Sequence, residues 1–151
     1  MELELENIKI TADQLEELVF ASEHTSYEMS YYFDKHTGDV ELLGKYIEVD
    51  PELKERIEEE FGERYIRVPR IESWQSFEDM VEFTENVRDK RMQTSLERAL
   101  SGGKGVFRRF KDTLSNDRVL LEQWYKFQNE RNRERVLKLF EDEALIKLIL
   151  E

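Results

Sequence analysis

Apolar positions recur with two periods along this chain, and the period changes near its middle. Leu15, Leu18 and Val19 fall on one face of a helical segment over 12–23, where Thr11 and Gln14 have capping-box spacing. Met29, Tyr31 and Phe33 then alternate with Ser30, Tyr32 and Asp34, and Val40 and Leu42 with Asp39 and Glu41. This is the period of a half-buried strand, so 29–43 reads as a β-hairpin. Its turn is His36-Thr37-Gly38-Asp39, with Gly38 free to take a positive φ. Asp50-Pro51 opens an acidic helix that runs to Phe61 and stops at Gly62. Arg64 to Val68 forms a third strand, ended by Pro69.

From Ser76, read as a helix cap, the period is helical. Phe77, Met80, Val81 and Thr84 share one face of a first helix. Met92, Leu96, Ala99 and Leu100 mark a second, which ends at Ser101-Gly102-Gly103. Phe107, Phe110 and Leu114 mark a third over 105–115. A last helix begins near Asp117 and reaches at least Phe140. No repeat or low-complexity stretch divides the chain, and 151 residues fit one domain. The expected class is α+β: one domain over 1–151, with a small three-stranded antiparallel sheet followed by a helical half packed on one face.

Composition narrows the classes. Charged residues make up 38% of the chain, against about 25% in an average globular protein. Leu, Ile, Val and Phe nevertheless supply 43 of the 151 residues, enough to drive collapse. There is no cysteine, which removes disulfides, thiol nucleophiles and zinc–thiolate sites. The acidic start Met1-Glu2-Leu3-Glu4-Leu5-Glu6 is unlike a signal peptide. The apolar window Ala144–Leu150 is far shorter than a membrane span, so a soluble cytoplasmic protein is expected.

The net charge of −12 is unevenly placed. Residues 1–63 hold 5 basic and 19 acidic side chains, whereas residues 88–111 hold 8 basic and 2 acidic. Overall acidity disfavours unspecific binding to duplex nucleic acid. The basic segment either neutralises the acidic half or meets an outside anion.

Several stretches together resemble the uncharacterised protein family UPF0158, small bacterial and plant proteins. They are Tyr31-Tyr32-Phe33-Asp34, Thr37-Gly38-Asp39-Val40, Tyr65-Ile66-Arg67-Val68-Pro69 and Met80 to Phe83. Arg98-Ala99-Leu100-Ser101-Gly102 follows, then Gly105 to Asp112, and finally Trp124-Tyr125 with Phe127, Glu130 and Arg131. The resemblance covers most of 10–140 and is most specific over Phe107–Asp112. Val106 stands where the family has a smaller residue, and Gln128-Asn129 replace a more charged pair. The family brings no agreed activity or catalytic residues.

Three places offer candidate chemistry. In the first, Ser101-Gly102-Gly103-Lys104-Gly105 leads into Arg108, Arg109 and Lys111. Uncovered N–H groups at a helix start, with Lys104 and two arginines, suit a phosphate or carboxylate. The spacing is not that of a Walker loop. The structural alternative is a glycine cap between two helices, with Asp112 paired to Arg108 or Arg109. Gly103, Lys104, Arg108, Arg109 and Lys111 are therefore candidate anion ligands.

The second is the last helix, where the stripe Leu120, Trp124, Phe127 continues to Arg131 and Arg135. Arginines on a core-facing line need partners: carboxylates of the acidic half, or an external anion, unless the helix leaves the core near Gln128. The third is the outer face of the sheet, where Tyr32, Tyr65 and Arg67 could stack the bases of a single strand. Asp34 and Glu41 on the same face would repel phosphate.

Catalysis finds little support. His24 and His36 are the only histidines, and no nucleophile–base pair can be assembled from spacing. Asp34, Asp39 and Glu41 are the only Mg²⁺ candidates, and hairpin acids more often serve as soluble turn residues. No cofactor is expected. The apolar tail Ala144–Leu150 docks on the chain's own core or forms a partner or homodimer contact. The expected function is a non-enzymatic interaction module, its acidic half meeting a protein partner. An RNA- or nucleotide-binding regulator built on the 102–111 turn is the alternative.

Overall fold

Hydrophobic alternation in a chain this polar is enough to form short sheets only where helices cover them. In a computed structural model, which describes residues 4–151, the chain is α+β. Its strands are β1 (Glu6–Ile10), β2 (Met29–Asp34), β3 (Val40–Gly44), β4 (Tyr65–Arg67) and β5 (Ile146–Leu150). Its helices are α1 (Ala12–His24), α2 (Pro51–Glu59), α3 (Ser73–Glu85), α4 (Lys90–Leu100), α5 (Val106–Leu114) and α6 (Arg118–Ala144).

Two compact units divide these elements. One comprises residues up to Ile71 together with Asn132–Glu151, and the other comprises Glu72–Arg131.

In the first unit β2 is the centre of an antiparallel sheet of order β3-β2-β4. Phe33 lies opposite Val40 and Ile66, while Tyr32 lies opposite Glu41 and Arg67. Alternation therefore sends Phe33, Val40 and Ile66 to one face, where they pack with Leu15, Leu18 and Val19 of α1 and Val136 and Phe140 of α6. The Phe33 and Phe140 rings meet edge to face, with centroids 5.2 Å apart. Buried side chains of this size each stabilise by about 1.5–3 kcal/mol. At the hairpin turn Gly38 has φ 81°. Gln14 closes the α1 capping box with Thr11 and also donates to the Thr37 carbonyl and Asp39 Oδ1, each at 3.0 Å.

The tail docks on the chain's own core. It forms β5, which pairs in parallel with β1 from Glu6↔Ile146 to Ile10↔Leu150. Ile8, Ile10, Ile146 and Leu148 are buried there. The β1 strand was not expected, although Ile8 and Ile10 alternate with Asn7 and Lys9. Between α6 and β5 the chain reverses through Leu145 at φ 56°, a left-handed conformation.

In the second unit Met80, Leu96, Phe110, Leu114 and Trp124 form a separate core. The first helix here starts at Ser73, one turn's length before the expected Ser76 cap, because Gln75 Oε1 accepts the Glu72 amide at 2.9 Å. Asp89 Oδ1 caps α4 by accepting the amides of Arg91 and Met92.

Candidate functional site

The Gly-rich turn joins two short helices whose apolar faces are Leu96 and Ala99 on α4 and Phe110 and Leu114 on α5. A helix that ends leaves its last carbonyls without partners. Arg109 supplies them. Its Nε and Nη2 donate to the Ala99 carbonyl at 3.3 and 3.2 Å, and its Nη1 donates to the Lys104 carbonyl. The guanidinium therefore folds back over the turn, and a Cβ at Gly102 would overlap its Nη2. The missing side chain at Gly102 leaves room for Arg109 to lie there, a local reason for the Gly102-to-Arg109 pattern that needs no ligand.

The other candidates of this turn lie outside that clamp. Arg108 pairs with Asp112 one turn on, at 3.8 Å and with both side chains largely exposed. This is the i,i+4 choice between the two partners considered for Asp112, and such surface pairs are weak. Gly103 has open space around it, and Lys104 and Lys111 are exposed. Gly105 takes φ 79° at the start of α5 and provides no side-chain cap.

On α6, Arg131 Nη2 donates to Glu82 Oε1 at 2.5 Å, and its guanidinium lies over the Phe127 ring at 5.1 Å. Its partner is a carboxylate of α3, so the expectation of a partner from the acidic first half is corrected for this residue. Arg135 Nη1 donates to Asn132 Oδ1 at 2.9 Å, and Asn132 Nδ2 donates to Glu23 Oε1 at 2.7 Å. An arginine outside the apolar stripe, Arg133, takes Glu16 of the acidic half.

The outer face of the sheet differs most from expectation. It is not open, because α2 lies over part of it. Ile57 is buried on that side, Phe61 meets Tyr32 edge to face, and Arg56 Nε donates to the Tyr65 hydroxyl at 3.1 Å. Tyr65 is only 1% exposed, so it has no ring face for a base to stack on. Its part in a stacking platform is corrected by the covering helix. Tyr32 is half-buried and Arg67 exposed. Arg67 Nη2 donates to the Ser26 carbonyl at 2.9 Å.

Asp34 ends β2 beside Tyr65 and is buried. Arg64 holds it with a two-pronged contact, Nε to Oδ1 at 3.0 Å and Nη2 to Oδ2 at 2.9 Å, while the His36 amide also donates to Oδ1. Burial alone would push this carboxyl up. The Arg64 hydrogen bonds, the His36 amide and the Arg64 charge outweigh burial and hold the pKa below its ordinary value. Arg64 was not among the sequence candidates. Opposite charges at the adjacent ends of two expected strands were the available signal.

The same carboxylates were the Mg²⁺ candidates. Asp34 is engaged by Arg64, and Asp39 Oδ1 accepts from Gln14. Among the described residues no group of three or more His, Asp or Glu is placed to hold a metal ion. His24 stacks on Phe20, with ring centroids 4.1 Å apart. Glu41, half-buried on the sheet's outer face, has its pKa raised by burial and by the charges of Asp39 and Asp34.

Fold and site together define an α+β protein whose buried Asp34 is matched by Arg64 and whose first 63 residues are strongly acidic. Among the described residues no helix is long and apolar enough to cross a membrane. The chain belongs to the uncharacterised protein family UPF0158, whose model matches residues 7–151. It is 34% identical over 128 residues to the UPF0158 protein PA5073 of Pseudomonas aeruginosa strain PAO1, covering 85% of this chain and 80% of that protein. No solved structure matches it.

Proposed function

We propose that the chain is a non-enzymatic cytoplasmic interaction module, and that the α2 side of its first unit receives a basic protein segment. The observation that carries this reading is the surface beside the covering helix. Glu52, Glu55, Glu58 and Glu59 of α2 are exposed, as are Glu48 and Asp50 before it. Next to them large apolar side chains also face solvent: Tyr46 is 77% exposed, Phe61 57% and Ile47 41%. A groove of about 400 Å³ opens beside them along Tyr32, Leu43 and Ile47, with Tyr27 and Val49 among its walls. Aromatic anchors ringed by charge are what binding surfaces use for affinity and for steering. The groove itself is bordered by Lys45 and Lys54 with Glu28, and the acidic side chains lie on α2 and on the segment before it.

The nucleic-acid alternative has less to stand on. Tyr65 is covered and Arg109 is bonded within its own turn, which leaves Lys104, Arg108 and Lys111 as scattered surface charges.

A photo-crosslinker placed at Tyr46, with a control at exposed Val119, tests the proposal in cells. The expected result is a nuclease-resistant protein adduct at Tyr46 alone, abolished by Glu52→Lys/Glu55→Lys/Glu59→Lys and weakened by salt. Equal adducts at both positions, or an adduct removed by nuclease, would overturn it.

A further inference from the structure

A second cavity of the first unit has a different chemistry. It measures about 500 Å³ and lies against the end of α1, the β4 exit and the end of α6, with Thr25, Arg67, Arg70 and Glu143 on its walls. That volume is typical of a small-molecule site.

Its basic wall is fixed in place by the backbone. The Val68 amide donates to the Tyr31 carbonyl and the Ile71 amide to the Ser22 carbonyl, each at 2.9 Å, with buried Pro69 between them. Proline fixes φ there, so the segment carrying Arg67 and Arg70 is held at both ends. Arg67 donates one Nη2 bond, to the Ser26 carbonyl, and makes no ion pair among the described residues. Arg70 likewise makes no ion pair among the described residues. In a protein with 35 acidic side chains, two neighbouring arginines without a carboxylate partner at one cavity stand out.

The third observation is a polar atom without a partner. Thr25 is 4% exposed, and its hydroxyl is buried with no hydrogen bond among the described residues, although its own amide closes the end of α1 on the Ala21 carbonyl. Leaving such a group unpaired is unfavourable. The hydroxyl is enclosed behind the cavity wall, so it marks strain in the wall and not a ligand contact. Opposite in character is Glu143, an acceptor for hydroxyl or amine donors.

We infer that this cavity binds a small phosphorylated metabolite, its phosphate taken by Arg67 and Arg70 and a hydroxyl-bearing body directed toward Glu143. Arginine forks match a phosphate's oxygens in pairs. A carboxylate would meet the two arginine forks with two oxygens, where a terminal phosphate offers three.

Amide NMR titration of the full chain with ribose 5-phosphate, AMP, inorganic phosphate, ribose and citrate tests this. Both organic phosphates should give saturable shifts at Tyr27 and Arg70, with inorganic phosphate weaker and ribose silent. The stronger of the two separates a sugar phosphate from a nucleotide. Arg70→Ala, at an exposed position, should weaken binding by about tenfold or more, as expected for a lost charge-assisted pair. Thr25→Val keeps the shape and removes a buried unpaired hydroxyl, so it should raise the unfolding midpoint of the free protein and leave phosphate binding unchanged. Citrate matching the organic phosphates, no saturation at millimolar concentration, or unchanged affinity in Arg70→Ala with a native spectrum would overturn the inference.

Discussion

Asp34 shows how a single residue sets the pH response of the first unit. Its carboxyl is lowered in the folded protein because Arg64 and the His36 amide hold the charged form more strongly than burial disfavours it. A lowered carboxyl contributes stability above its unfolded pKa, about 3.9, and loses it as the pH falls through the folded value. Asp34→Asn should therefore lower the thermal midpoint at pH 7 and flatten the acid limb of the stability curve. Glu41 has the opposite sign. Its raised pKa means the charged form is disfavoured by folding, so Glu41→Gln should stabilise at neutral pH, with the gain vanishing as the pH drops through the carboxylate range. Thermal melts from pH 3 to 8 measure both. The turn offers a steric counterpart. Gly102→Ala would push the Arg109 guanidinium off the Ala99 and Lys104 carbonyls, at about 1–3 kcal/mol for charge-assisted bonds. Gly103→Ala meets nothing within 4 Å, and by stiffening the unfolded chain it should be neutral or stabilising by up to about 1 kcal/mol. Urea titrations of the two variants distinguish a clamped turn from a merely flexible one.

At the scale of elements, local signals and remote ones separate cleanly. The hairpin, α1, α4, α5 and α6 were legible because each carries its own period and its own cap: Thr11 with Gln14, Gly38, and the Gly102–Gly105 run. What local pattern could not show was pairing between distant segments. All six helices lie between β1 and β5 in sequence, and each strand alone is only five residues long, so the tail read as an apolar end seeking some surface. No glycine marks the end of α6, because Leu145 itself takes the left-handed conformation. Alternation assigned Tyr65 to the outer face correctly, but exposure on that face depends on what covers it, and the acidic pattern of α2 hid a single buried contact, Ile57. For the candidate sites the same limit applies: sequence pointed to Arg109, Arg131 and Arg135 but not to Arg64, and only the fold shows which carbonyl or carboxylate an arginine meets. The β1–β5 pair should be energetically central. Ile146 is fully buried, and Ile146→Ala should cost about 2–5 kcal/mol, measured by chemical denaturation. A loss under about 1 kcal/mol would mean that this strand frays in solution.

For the whole molecule the decisive element is α6. It runs 27 residues from Arg118 to Ala144 with no glycine or proline. Trp124 belongs to the core of one unit, and Val136 and Phe140 to the core of the other. Helix formation is cooperative, so melting one half withdraws support from the other. A helix shared in this way predicts a single unfolding transition. The two tryptophans are suited to test it. Trp74 and Trp124 both lie in Glu72–Arg131, and Trp124 is 1% exposed, so the shift of emission on unfolding follows that unit alone. Amide exchange at Phe33 and Leu148 follows the other. Emission and exchange should give the same urea midpoint in the wild-type chain. Glu134→Pro, at an exposed position within α6, costs about 3 kcal/mol or more in a helix interior and should split them, lowering the midpoint reported by exchange more than that reported by emission. If the wild-type midpoints already differ, α6 does not couple the units, and the chain is two domains that share a helix.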